Sequence, residues 1–87
     1  MNEFIIMADG TTVKNAYVVK IDTGLIAIYV QGEQTFSKMS KLFSNTKKTE
    51  IMESDRYGDK QTWEGYTEII SLQINPGNAC VELRQNA

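Results

Sequence analysis

Turn-forming residues recur at short intervals along this chain, and that rhythm constrains its fold more than any other feature. Asp9-Gly10, Asp22-Thr23-Gly24, Gly58-Asp59 and Asn75-Pro76-Gly77-Asn78 each supply residues that accept positive φ or start a tight turn. Between them lie apolar runs with a period of two, the pattern of half-buried strands. Connections this short join antiparallel neighbours, because a parallel pair needs a crossover of about a dozen residues or more.

The runs predict six strands and a helix. EFIIMA (3–8) is the first strand. TTVKNAYVVKI (11–21) follows, with Tyr17, Val19 and Ile21 alternating, and LIAIYV (25–30) presents Ile26, Ile28 and Val30 on one face. QTFSKMSKLFS (34–44) breaks the alternation. Phe36, Met39, Leu42 and Phe43 recur there at helical spacing behind a Thr35 N-cap, and Lys38 and Lys41 take the other face. TEIMESDRY (49–57) and KQTWEGYTEIISLQI (60–74) flank the Gly58-Asp59 turn, and ACVELR (79–84) closes with Val81 and Leu83 inward. In 60–74 the parity slips: Trp63 and Ile69 share one side, Tyr66, Ile70, Leu72 and Ile74 the other. A bulge or bend at Gly65 absorbs the slip. It places Tyr66 in the core and Trp63 on the opposite side, nearer the surface.

The expected fold is therefore one domain over residues 1–87, mainly β within the α+β class. It is a six-stranded, mostly antiparallel curved sheet or small barrel with one short helix, in the order β-β-β-α-β-β-β, without an internal repeat. A chain of 87 residues has a thin core. Partner contacts can then supply part of its stability.

The charge is balanced overall but unevenly spread. Eleven acids stand against nine bases, a net charge of −2, with no histidine. Lys38, Lys41, Lys47 and Lys48 fall in one stretch without an acid, so the other five bases face all eleven acids, a balance of −6. Nothing in residues 1–10 resembles a secretion signal, and no run is long enough to span a bilayer, which predicts an intracellular protein. Cys80 is alone and sits in a strand pattern, the setting of a packed thiol, so neither an internal disulfide nor a cysteine-rich zinc site is available.

Chemical motifs are sparse. Asp22-Thr23-Gly24 between apolar strands matches an aspartic protease signature, but that chemistry needs two carboxylates sharing a proton and hence a dimer. The tripeptide reads as a hairpin turn. Glu50, Glu53, Asp55, Asp59 and Glu64 lack the alternating oxygen ligands and bidentate glutamate of a calcium loop, and strand alternation points them outward. Without histidine there is no Ser-His or Cys-His nucleophile pair. The expectation is a protein without catalytic activity, cofactor or metal. The lysine segment reads as a solvated helix face, with acidic protein or weak nucleic-acid contact as its functional alternatives. Tyr57, Trp63 and Tyr66 read as rings laid over a thin core, as anchors of a protein contact or, third, as a surface that stacks on sugar or bases.

LFSNTKKTEIMESDRYGDKQTWEGYTEIISLQI (42–74) carries a Phe-Ser-Asn element, Lys-Thr before an apolar strand, a glycine turn and a Gly-Tyr-Thr segment, and IIMADGTT precedes it near the start. In these features the chain resembles small proteins encoded in prophages and mobile elements of anaerobic Gram-positive bacteria. It departs from them at Asn45-Thr46, where their pattern often has a proline. Such genes often lie beside phage tail and baseplate genes, so the resemblance implies a virion or assembly component, and it carries over no catalytic residue. The leading expectation is a structural or assembly module acting by protein–protein contact, with itself or with other phage components, through Tyr57, Trp63, Lys38, Lys41, Lys47 and Lys48. The alternatives are an inhibitor that lays an acidic surface on a host nucleic-acid enzyme, and a weak nucleic-acid binder working through the four lysines.

Overall fold

A computed structural model describes residues 4–7, 10–44 and 50–86. Its elements are β1 (Phe4–Met7), β2 (Thr12–Lys14), β3 (Ala16–Asp22), β4 (Leu25–Gln31), α1 (Phe36–Ser44), β5 (Glu50–Ser54), β6 (Lys60–Glu64), β7 (Tyr66–Asn75) and β8 (Asn78–Gln85). Among the described residues there are eight strands where the sequence predicts six, because two of its long runs each break once. Residues 11–21 divide at Asn15, with φ 57°, and residues 60–74 divide at Gly65, with φ 76°. A left-handed residue turns the chain out of its strand direction. At each break the chain leaves one sheet and enters the other.

The sheets have the orders β2-β1-β5-β6 and β3-β4-β8-β7, with antiparallel pairing throughout. The expected single curved sheet or closed barrel is thus replaced by two four-stranded sheets that meet at two corners. Strands that switch sheets through a bend are a standard way to build such corners.

The two halves of the chain repeat one plan. In each, a hairpin of the first sheet leads through a corner into a hairpin of the second. Val13 pairs with Ile5 two residues before Asn15, and Trp63 pairs with Ile51 two residues before Gly65. Just after the corners, Ala16 pairs with Val30 and Tyr66 with Gln85. The Asn15 carbonyl accepts the Gln31 N–H at 2.9 Å, and the Gly65 carbonyl accepts the Asn86 N–H at 2.8 Å. Strands β1 and β5 meet at the centre of one sheet and β4 and β8 at the centre of the other. The halves are therefore related by a pseudo-two-fold axis, an internal repeat of topology that leaves no repeat in the sequence.

Between the sheets lie Ile5 and Ile51 from one, and Ile26, Ile28, Val30, Ala79, Val81 and Leu83 from the other. The inward faces of β4 and β8 are those the sequence predicts. Helix α1 packs against β7 and adds Met39 and Phe43, both fully buried. Thr35 is its N-cap: the Lys38 N–H donates to Thr35 Oγ1 at 3.2 Å. Phe36, at the start of the predicted apolar face, is 61% exposed, so the buried stripe begins one turn later.

Two expectations about side-chain direction are reversed. Trp63 and Tyr66 do not lie on opposite sides; their rings meet edge to face, with centroids 6.1 Å apart. The left-handed turn at Gly65 resets the alternation, so the flanking side chains both enter the interior. Tyr66 is buried and Trp63 half-buried. Two register shifts in β7, at Thr67 and at Ile70, add to the parity slip that Gly65 alone was expected to absorb. On β3 the corner at Asn15 pairs Ala16 with the inward Val30, so Ala16 and Val18 follow the interior. Tyr17 and Val19 therefore face out, although their pattern predicts a buried side, and Ile21, beside the register shift at the end of β3, is likewise exposed.

Candidate contact surface

The outer face of the second sheet is organised in three rows by strand register. Tyr17, Tyr29, Cys80 and Gln73 form one row; Val19, Ala27, Glu82 and Ser71 the middle row; Asp22, Leu25, Arg84 and Glu68 the third, with Ile21 beside Asp22. Its β3–β4 half is apolar. Val19 is 41% and Ile21 48% exposed. Tyr17 and Tyr29 stack with centroids 5.2 Å apart. Ala27 is buried among these neighbours although it lies outside the core cluster.

The paired outer positions of the β8–β7 half are mostly polar, and Ile70, at a register shift of β7, is 40% exposed. Ser71 donates its hydroxyl to the Glu82 carboxylate. Arg84 approaches Glu68 at 3.9 Å with both side chains largely in solvent, a pair that contributes little. Cys80 belongs to this face and not to the core, a difference from the packed thiol expected. Partial burial raises its pKa above the ordinary thiol value, a hydrogen bond with Tyr29 works against that shift, and the Glu82 charge adds to it. The Tyr29 phenol is raised too, first by the charge of Cys80, then by their hydrogen bond and by burial.

The pseudo-symmetry separates what the fold requires from what it does not. In the middle of the strands the inward positions keep their character between the halves, Ile26 matching Val81 and Ile28 matching Leu83, whereas at the strand end buried Val30 matches exposed Gln85. Outward positions lose it: Leu25, Ala27 and Tyr29 match Cys80, Glu82 and Arg84. Strand β8 holds the same place in the sheet with charges on its outer side. The apolar outer stripe of β3–β4 is therefore not a demand of the architecture.

The predicted site residues do not form one patch. Tyr57 stands at the β5–β6 hairpin tip, 72% exposed, with the Arg56 guanidinium 5.1 Å from its ring centroid. Asp55 holds this tip in shape, its Oδ1 accepting the N–H groups of Tyr57 at 2.8 Å and Asp59 at 3.0 Å. Trp63 lies farther down the hairpin with its ring against the core; its Nε1 is buried and has no hydrogen-bond partner among the described residues. Lys38 and Lys41 are exposed on α1, and Lys47 and Lys48 lie outside the described residues. Sequence reasoning did not single out Val19, Ile21 and Leu25, because apolar alternation carries no mark of which side of a sheet is covered.

The acidic residues also differ from expectation. Glu53 does not point out to solvent: it is half-buried, and its carboxylate accepts the Val18 N–H of β3 at 2.8 Å. A hollow of about 220 Å³ is lined by Glu53, Asp55, Asp59, Lys60 and Gln61. With Glu53 and Asp55 already bonded to backbone amides, no group of three or more acids or cysteines able to hold a metal ion occurs among the described residues. Asp22-Thr23-Gly24 is the β3–β4 turn, in which Asp22 Oδ1 accepts the Thr23 N–H at 2.7 Å. No helix among the described residues is long and apolar enough to cross a membrane. Compared with protein-family models, curated proteins and solved structures, the chain matches none of them.

Proposed function

We propose that this chain is a non-catalytic protein-contact module, a phage-derived structural or assembly component. The observation that carries this reading is the outer apolar stripe of β3–β4, whose β4 residues the matching strand β8 replaces with Cys80, Glu82 and Arg84. Clustered exposed apolar side chains with a polar border mark contact surfaces more often than isolated ones do. The exposed Tyr57 with its neighbouring Arg56 adds the residue types favoured as interface anchors. The prophage resemblance supplies the assembly context.

Photo-cross-linking in the producing cell tests this reading. A photoreactive residue replacing Val19 is expected to give a discrete protein adduct that excess unlabelled protein suppresses. The same probe replacing Thr62, exposed on the other sheet, is the control. Equal, diffuse labelling from both positions would overturn the contact reading.

A further inference from the structure

Resting on the contact reading, we infer that the occupant of this outer face is a second copy of the chain, packed face to face about a two-fold axis that runs across the strands. Such an axis keeps each strand opposite its own copy and reverses its direction, so the aligned packing of two sheets is preserved. Only the position of the axis along the strands remains to be chosen, and the side chains choose it. Centred on the middle row, it would set Glu82 against Glu82. Centred between the middle and third rows, it sets Glu82 of one copy against Arg84 of the other, twice by symmetry. In that register Val19 meets the end of β3, where Ile21 lies beside Asp22, and the small Ala27 meets the larger Leu25. Apolar groups therefore face apolar groups on β4, Val19 faces both Ile21 and Asp22 on β3, and opposite charges face each other on β8.

The area suits a reversible dimer. Strands β3 and β4 are seven residues long. Four such strands make a face of about 19 by 23 Å. That axis lies toward one end of the strands, so the copies overlap over about 16 Å of their length and, with side-chain relief, bury about 800 Å² in total, the size of a weak, transient contact. The Glu82–Arg84 pairs, on the central strand β8, set the register more than the affinity.

Sedimentation equilibrium from about 1 µM to about 1 mM tests the proposal. The wild type is expected to pass from monomer to dimer. Val19→Glu should stay monomeric, and Arg84→Glu should weaken the dimer about tenfold by setting like charges opposite. The double variant Glu82→Arg, Arg84→Glu should restore it, because the pairing is reversed and not lost. Thermal melts followed by circular dichroism check that each variant folds, and Arg84, already in solvent, serves if Val19→Glu does not. A wild type that stays monomeric throughout would overturn the second-copy proposal, as would a dimer indifferent to both single variants. A monomer that still gives the Val19 adduct with another protein leaves the contact reading standing; a monomer without one removes both.

Discussion

The two corners share a backbone plan and fill it differently. At the first, Val13 and Ala16 flank Asn15; at the second, the matching positions are Trp63 and Tyr66 around Gly65. Small side chains suffice at one, and an edge-to-face aromatic pair fills the other. The architecture therefore specifies a turn and a register at each corner, but not a volume. This answers what the tyrosines and tryptophan of the second hairpin are for: Trp63 and Tyr66 are the packing of a corner, and only Tyr57 stands clear of it.

Truncation should expose the difference most strongly. Trp63→Ala is expected to cost about 3 kcal/mol in urea denaturation, against a smaller loss for Val13→Ala, since the deleted volume is larger. Trp63→Phe should cost much less, because it keeps a ring and removes an N–H left without a partner. Equal losses for Trp63→Ala and Val13→Ala would mean that the second corner does not depend on its rings.

Backbone substitutions come next in size. At Gly65 an added Cβ would lie 3.6 Å from Gln85 Cγ, an ordinary contact, so Gly65→Ala should cost only the left-handed strain, about 1–2 kcal/mol. Asn15→Ala should cost about 1 kcal/mol, less than Gly65→Ala, because asparagine already bears part of that strain in the wild type. A larger cost at Asn15 would show that its side chain does more at the corner than tolerate positive φ.

Much of the fold was legible in the chain. Turn residues located the hairpins, the single helix and its Thr35 cap were found, and the inward sides of β4 and β8 followed from alternation. The corners were only half visible. Gly65 advertised a break through its missing side chain, whereas Asn15, in a run of strand-forming residues, did not. That omission had consequences for the surface. Once Asn15 sets the register, Tyr17 and Val19 fall outside, and the apolar pattern read as core becomes the candidate contact surface. Periodicity reports that one side of a strand differs from the other; it does not report which side a second layer covers.

Cys80 gives the finest test, because it is the counterpart of Leu25 on the outer face. The Cys80 thiol and Tyr29 phenol both have raised pKa values, so the folded protein holds these protons more tightly than the unfolded chain. Their contribution to stability is full below the ordinary thiol range and is lost as pH rises through the raised values. The thermal midpoint should thus fall above about pH 9. Replacing Cys80 with Ala removes the charge that acts most on Tyr29, so the fall should be smaller in that variant. Alkylation of the wild-type thiol should also lag behind a free thiol at the same pH. An alkaline loss of equal size in Cys80→Ala would place its origin elsewhere in the fold and leave the outer face chemically silent.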